Sequence, residues 1–226
     1  MSLAVSLPHA QQPDSFSAGC SPLPGTWLFD CTFRQGGVEY VIGVDEAGRG
    51  CLAGPIFAAA VILASPIGLS EICDSKRLTE SQREALGEEI KARALAWSVA
   101  WAFAREIDRR GIDWANRIVF TRAIRQLQSF LPLDRRRMHV LVDGIRPALR
   151  CPLPQTTVKR GDEQSLSIAA ASILAKTARD RYCVEIMHAR YPQYGFDRHK
   201  GYATRDHKRA LQNWGPSREH RQSFSW

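Results

Sequence analysis

No Cys-x-x-Cys occurs in the sequence, and none of its six cysteines (Cys20, Cys31, Cys51, Cys73, Cys151, Cys183) has histidines at zinc-ligand spacing. A chain of 226 residues with 44% hydrophobic content needs no disulfide framework. Reduced thiols in a cytoplasm are the simpler account. Long apolar runs are missing too. The longest, Ile56 to Ala64, is far too short to span a bilayer. Nor does the N-terminus carry a positively charged leader ahead of an apolar block. The expectation is a soluble cytoplasmic protein with no membrane partner. Internal repeats and low-complexity tracts are absent. Acid is in short supply: Asp+Glu number 23 against 31 Lys+Arg, for a formal charge of +8 and a pI near 9.5. That balance points to a polyanionic partner, nucleic acid first. A glycoside hydrolase would also use two carboxylates, but the charge and the lack of an aromatic sugar platform argue against one.

Residues 1 to 38 read as an N-terminal extension. The first 26 or so carry Pro8, Pro13, Pro22 and Pro24 without periodicity, and Trp27 to Phe33 is apolar enough to pack against a domain. The domain itself, 39–226, opens on the β-branched run Val41 to Val44, a buried strand. It ends in Asp45-Glu46, followed by a Gly48-Arg49-Gly50 turn. Neighbours inside a strand point to opposite faces, and a strand end relaxes that rule, so both acids are expected to turn toward one site. Paired carboxylates on a stiff support suit a hard cation, Mg²⁺ first.

A second strand over Ile56 to Leu63 and a third over Trp97 to Phe103 suggest an antiparallel meander. Thr79-Glu80-Ser81-Gln82 has capping-box spacing and starts a helix that runs to about Ala94. Ile112, Ala115, Val119, Ala123 and Leu127 keep helical spacing through Phe130. Met138 to Val142 is a fourth strand closed by Asp143-Gly144, and Gln155 to Lys159 a short fifth. A long helix follows over roughly 164–190, with its first half apolar almost all round and therefore buried. The tail from Tyr191 is basic, aromatic and glycine-punctuated.

Strand ends and helix starts in such a chain share one edge of the sheet, where α/β proteins bind ligands. Asp45, Glu46 and Asp143 stand at strand ends and Asp162 at a helix start. An Asp before a helix is ordinarily an N-cap, and Asp before Gly is ordinary turn chemistry. Four acids recurring at element ends of a basic protein instead suit two-metal phosphodiester hydrolysis, in which cations relieve their repulsion.

Asp-Glu-Ala-Gly-Arg-Gly (45–50), Asp-Ser-Lys-Arg-Leu (74–78), Val-Asp-Gly (142–144), Gly-Asp (161–162), Ser-Ile-Ala-Ala-Ala-Ser-Ile-Leu-Ala-Lys (167–176) and His-Lys-Gly-Tyr (199–202) occur in that order. Together, over roughly 39–224, they resemble bacterial type 2 ribonuclease H, ribonuclease HII. The resemblance implies an α/β ribonuclease H-like fold, with a mixed five-stranded sheet flanked by helices and a helical C-terminal part. It implies a monomeric endonuclease dependent on Mg²⁺ or Mn²⁺. Its substrates would be RNA–DNA hybrids and DNA duplexes containing ribonucleotides, nicked on the 5′ side to leave 3′-hydroxyl and 5′-phosphate. By motif, Asp45, Glu46, Asp143 and Asp162 are the metal-binding catalytic acids. Gly48, Arg49 and Gly50 read the ribose 2′-hydroxyl, the group that separates RNA from DNA. Tyr202 packs on the following deoxyribose. Lys76, Arg77, His199 and Lys200 suit phosphate contacts, which position a duplex without reading its sequence.

Two positions depart from the family pattern. Lys159-Arg160-Gly161-Asp162 stands where Lys-Gly-Asp is usual, so either one residue is inserted or Arg160 replaces the lysine. Gly111 stands where many relatives carry Asn, a change expected to loosen the start of the helix that follows. Two other readings share some of these features. A non-catalytic nucleic-acid-binding module would use the basic surface without needing all four acids. A junction resolvase would share acids on a sheet edge but not the Gly-Arg-Gly and His-Lys-Gly-Tyr segments.

Overall fold

The computed structural model describes residues 25–66, 79–130 and 133–225. Lys76 and Arg77 lie outside the described residues.

Five strands form one mixed sheet: β1 (Tyr40–Ala47), β2 (Ile56–Leu63), β3 (Ala94–Ala102), β4 (Met138–Asp143) and β5 (Gln155–Val158), in the order β3-β2-β1-β4-β5. β1, β2 and β3 are the expected antiparallel meander, and β4 and β5 join it in parallel. Every residue of β2 is buried, as its unbroken apolar run requires of a strand covered on both faces.

The helices, in chain order, are α1 (Gly25–Thr32), α2 (Glu80–Arg93), α3 (Ala104–Arg110), α4 (Ile112–Phe130), α5 (Gly161–Gln164), α6 (Leu166–Tyr182), α7 (Phe196–His199) and α8 (Arg205–Trp214). Thr79 caps α2 in the reciprocal box its spacing predicts: its hydroxyl accepts from Gln82 N–H, and the Gln82 side chain accepts from Thr79 N–H. α4 lays its apolar stripe on one face of the sheet, where Val119, Ala123 and Leu127 meet Ile42, Val44, Ala58 and Ala60. On the other face α6, nearly all apolar through Ala175, packs with α2 against Phe57, Ala59 and Val61. Contact there is backbone to backbone. A Cβ added to Gly43 of β1 would fall 2.1 Å from the Ser167 carbonyl carbon, so only glycine admits α6 this close.

The long helix expected over roughly 164–190 is interrupted rather than ideal. It begins at Leu166 after the separate turn of α5, and a π-helical stretch, Cys183–His188, follows Tyr182. The C-terminal part is a satellite cluster built on Leu52, Ala53, Met187, Tyr194, Phe196 and Leu211. Gly111 does not loosen α4. At φ 81° and ψ 155° it joins α3 to α4 in a conformation open essentially to glycine alone, so the absence of a side chain fits the joint.

α1 has a role that its own sequence did not disclose. Asp30, fully buried, accepts from Ser165 Oγ at 2.5 Å, Ser167 N–H at 2.8 Å and Ser167 Oγ at 2.7 Å. Ser165 Oγ in turn accepts from Ile168 N–H at 3.1 Å. The carboxyl thus finishes the N-terminus of α6, where backbone donors lack partners and negative charge is favoured. Asp30→Ala leaves three buried donors without an acceptor and is expected to cost about 3 kcal/mol, checked by denaturant unfolding. Wild-type stability in that variant would mean α1 is not docked in solution.

Candidate active site

The parallel register of β1 and β4 places Val44 opposite Val142, which brings the next residues, Asp45 and Asp143, side by side. β4 stops at Asp143, whereas β1 continues to Ala47 along β2. The space beside the end of β1 is therefore open. Contrary to the expected relaxation at a strand end, the alternation of side chains persists. Asp45 turns to the α6 face and hydrogen-bonds Ser172, while Glu46 turns to the α4 face and hydrogen-bonds Asn116. The two acids still meet, because both can reach toward the edge of β1 that β4 leaves open. Among the described residues, Asp45, Glu46 and Asp143 each offer an oxygen within 4.8 Å of the others.

Asp162 is not in that close trio. It lies on α5 along the same groove, and its charge helps raise the pKa of Asp143. Asp162 is not the cap of its helix: the cap position is Arg160, in the left-handed conformation at φ 51°. Asp143 Oδ1 accepts the Gly161 N–H at 2.6 Å, so the third acid anchors the turn that carries the fourth.

All three clustered acids have pKa values above the ordinary carboxylate range. Burial is the leading cause for Asp45, followed by the charges of Glu46 and Asp143. Burial and Asp143 push Glu46 up to about 7, against a lowering by Arg49. Burial also leads for Asp143. Two unit charges about 5 Å apart repel by roughly 3–4 kcal/mol at an effective dielectric of 20, so ionising all three here is costly without a cation. The Arg49 guanidinium, 4.0 Å from Glu46 and half exposed, supplies only part of that. The donors are all oxygen, with no thiol or imidazole among them, which suits a hard divalent ion such as Mg²⁺ or Mn²⁺.

The adjoining groove, about 440 Å³, runs past Glu46, Gly48, Arg49, Gly50, Asp162 and Tyr202. The Gly-Arg-Gly loop lines it as expected, but its two glycines serve different ends. Gly48, at φ +90°, leaves room for Arg179, whose Nε would be 1.9 Å from an added Cβ. Gly50 faces open space, with nothing within 4 Å of an added Cβ. Tyr202 keeps 42% of its surface exposed, with Lys176 and Arg179 near its ring at 5.8 and 5.7 Å.

His199 and Lys200 are placed differently from these. Both His199 ring nitrogens are engaged, one with Tyr194 O at 2.7 Å and the other accepting Gly201 N–H at 3.2 Å. Lys200 is buried, donating to Asp197 O and pairing with Glu80 at 3.2 Å. Ser172, Asn116, Arg83 and Lys176 were not singled out from sequence, yet they touch the acids or line the groove. Ser172 and Lys176, polar at i and i+4 in an apolar helix, carried a signal that could have been read.

Residues 42–226 match the sequence model of the family Ribonuclease HII. The chain belongs to the ribonuclease HII family. It is 49% identical over 197 residues to the ribonuclease HII of Geotalea daltonii, covering 87% of this chain and 88% of that one. With the Geobacillus kaustophilus enzyme it shares 48% over 189 residues, 84% of this chain and 69% of that one. Its backbone is similar to that of RNase HII in a PCNA complex from Archaeoglobus fulgidus, at TM-score 0.67 and 24% identity over 83% of this chain and 96% of that one. A ribonuclease HII is a metal-dependent ribonuclease, a hydrolase that acts on RNA–DNA hybrids, and the ribonuclease H-like fold is the one described above.

The raised acids set a pH dependence. A carboxyl whose folded pKa lies above its unfolded value binds the extra proton in the folded state, so its contribution to stability is complete below the unfolded pKa and is lost as pH rises through the folded one. For Glu46 that window runs from 4.5 to about 7. A divalent ion reverses the penalty by binding the ionised form. The rise in Tm produced by millimolar Mg²⁺ or Mn²⁺ is therefore expected to be larger at pH 8 than at pH 5.5. Equal rises at both pH values would show that the metal stabilises through other ligands.

Proposed function

We propose that this ribonuclease HII nicks DNA duplexes on the 5′ side of an embedded ribonucleotide, as well as cutting hybrids, and leaves 3′-hydroxyl and 5′-phosphate ends. The reading places two divalent ions, Mg²⁺ or Mn²⁺, among Asp45, Glu46, Asp143 and Asp162. One observation carries it: three clustered acids open, through Glu46, onto a groove lined by a glycine-flanked loop, a fourth acid and an exposed tyrosine ring. Removal of RNA primers and of misincorporated ribonucleotides is the use such cutting serves. The described cysteines are free thiols, in keeping with a reducing cytoplasm.

Divalent ions held by Asp45, Glu46, Asp143 and Asp162 would supply an activated water and charge stabilisation on the leaving oxygen. The protein's own groups do the rest. Ser172 and Asn116 stand beside Asp45 and Glu46 as donors that favour the ionised carboxylates, and Asp143 is held by the Gly161 N–H. Main-chain groups of Gly48, Arg49 and Gly50 meet the ribose 2′-hydroxyl, which is both donor and acceptor. The open space at Gly50 is where a sugar approaches. Tyr202 lies along the same groove and packs its exposed ring on the next deoxyribose. Phosphates are met by the groove cations Arg49, Arg83 and Lys176, while His199 and Lys200 serve as scaffold beneath Tyr202.

Incubation with a duplex carrying one ribonucleotide, with Mg²⁺, Mn²⁺ or chelator, tests the reading by mapping the cut and its ends. A cut on the 3′ side, or cutting in chelator, would refute it. Asp45→Asn is expected to lower kcat at least about a hundredfold while duplex affinity stays within about threefold, because phosphate contacts dominate binding. Near-full turnover would remove Asp45 from the metal site. Tyr202→Ala is expected to lower kcat/KM at a single ribonucleotide by about tenfold or more, with little change in affinity for all-DNA duplex. Equal loss on both measures would take Tyr202 out of the junction.

A further inference from the structure

The loop after β1 is held from below by an arginine nearly at the other end of the chain. Arg221 is fully buried. Its Nη2 donates to Gly48 O at 2.7 Å and Gly54 O at 2.9 Å, its Nη1 to Arg49 O at 2.8 Å, and its Nε to Gly54 O at 3.0 Å. Its backbone takes part as well: Arg221 N–H donates to Leu52 O at 2.9 Å, and Gly54 N–H donates to Glu219 O at 2.8 Å. One planar guanidinium thus gathers three carbonyls of a single loop.

The consequence follows from the geometry of the peptide unit. In a trans peptide the C=O and the following N–H point in opposite directions. Drawing Gly48 O and Arg49 O down onto Arg221 turns the N–H groups of Arg49 and Gly50 the other way, toward the groove that these residues line. Two adjacent donors on a loop with open space at Gly50 form a site for one oxygen atom.

Tyr202 is tied into the same tail. His207 Nδ1 lies 2.8 Å from Tyr202 O, which can only accept, so the proton is on Nδ1. His207 Nε2 then accepts from His220 Nε2–H at 3.0 Å, and His220 Nδ1 accepts from Ser217 N–H at 2.9 Å. A run of hydrogen bonds therefore joins Tyr202, on one side of the groove, to the residue just before Arg221.

We infer that Arg221 is the positioning residue for ribose discrimination: it orients the peptide planes at Gly48 and Arg49 so that their amide donors meet the sugar 2′-oxygen. This rests on the proposed reading of Gly48 to Gly50 as the ribose sensor. Lysine cannot replace it, because an ammonium has no planar fork with which to hold three carbonyls in fixed directions.

The test compares Arg221→Lys with Leu211→Ala, which loosens the same C-terminal cluster and leaves the three carbonyls in place. Each is assayed for cleavage of a duplex with one ribonucleotide, for affinity to the same duplex in all-DNA form, for Mn²⁺ affinity and for Tm. Arg221→Lys is expected to lower cleavage kcat/KM about tenfold or more, with duplex and Mn²⁺ affinities within about twofold, while Leu211→Ala cleaves within about threefold of wild type at a comparable Tm. Wild-type cleavage by Arg221→Lys, or losses in both variants that simply follow Tm, would overturn the inference. If Arg221→Lys does not fold, Asp45→Asn protein provides the second measurement. Amide exchange at Arg49 and Gly50 is expected to slow on adding the ribonucleotide duplex and not on adding the all-DNA duplex, and equal slowing by both would overturn it. A wild-type enzyme that cuts hybrids but ignores single ribonucleotides would instead sink the proposed function, independently of Arg221.

Discussion

Like charges taken out of water repel strongly, and the architecture of this protein keeps three such groups together. Burial raises the pKa of Asp45, Glu46 and Asp143 alike, and neighbouring acids add to it: Glu46 and Asp143 at Asp45, Asp143 at Glu46, and Asp162 at Asp143. What holds them is backbone. Two adjacent parallel strands in fixed register leave the acids no freedom to separate without breaking the centre of the sheet. On the proposed reading a divalent ion would convert that repulsion into affinity, and a site that loosened to relieve it would bind metal less well.

Helix α6 carries that rigidity outward. It lies against β1 at Gly43 with no side chain between, so the helix and the strand move as one body. From α6 come Ser172, which hydrogen-bonds Asp45, Lys176, which lines the groove, and Arg179, which fills the space left by Gly48. Asp30 of α1 secures its N-terminus immediately after the turn bearing Asp162. Acids, loop and groove are therefore referenced to one helix rather than to separate surface segments.

Much of this was legible in the sequence because it depends on local patterns. The buried run at Ile56 to Leu63, the box at Thr79 and the stripe on α4 are local, and each element falls within a few residues of its expected place. The acids were legible as residues, but their route to one another was not. Alternation along β1 holds, and convergence comes from the early end of β4, which only the sheet reveals. Long-range partners left the least trace. Asp30 meets Ser165 across 135 positions and Arg221 meets Gly48 across 173, and a buried arginine reads in sequence like any solvated one. His199, expected as a phosphate contact, has its ring stacked on His207 at 4.3 Å inside the C-terminal cluster, a packing equally invisible in sequence.

That separation of 173 positions between Gly48 and Arg221 bears on how the protein matures. Three carbonyls of the loop have no guanidinium to meet until a segment 173 positions away along the chain has packed beneath them. Contacts so distant along the chain form late and slowly. The sheet can therefore form and gather its acids while the loop still lacks its support, so the shape of the loop is settled after that of the strand that carries it.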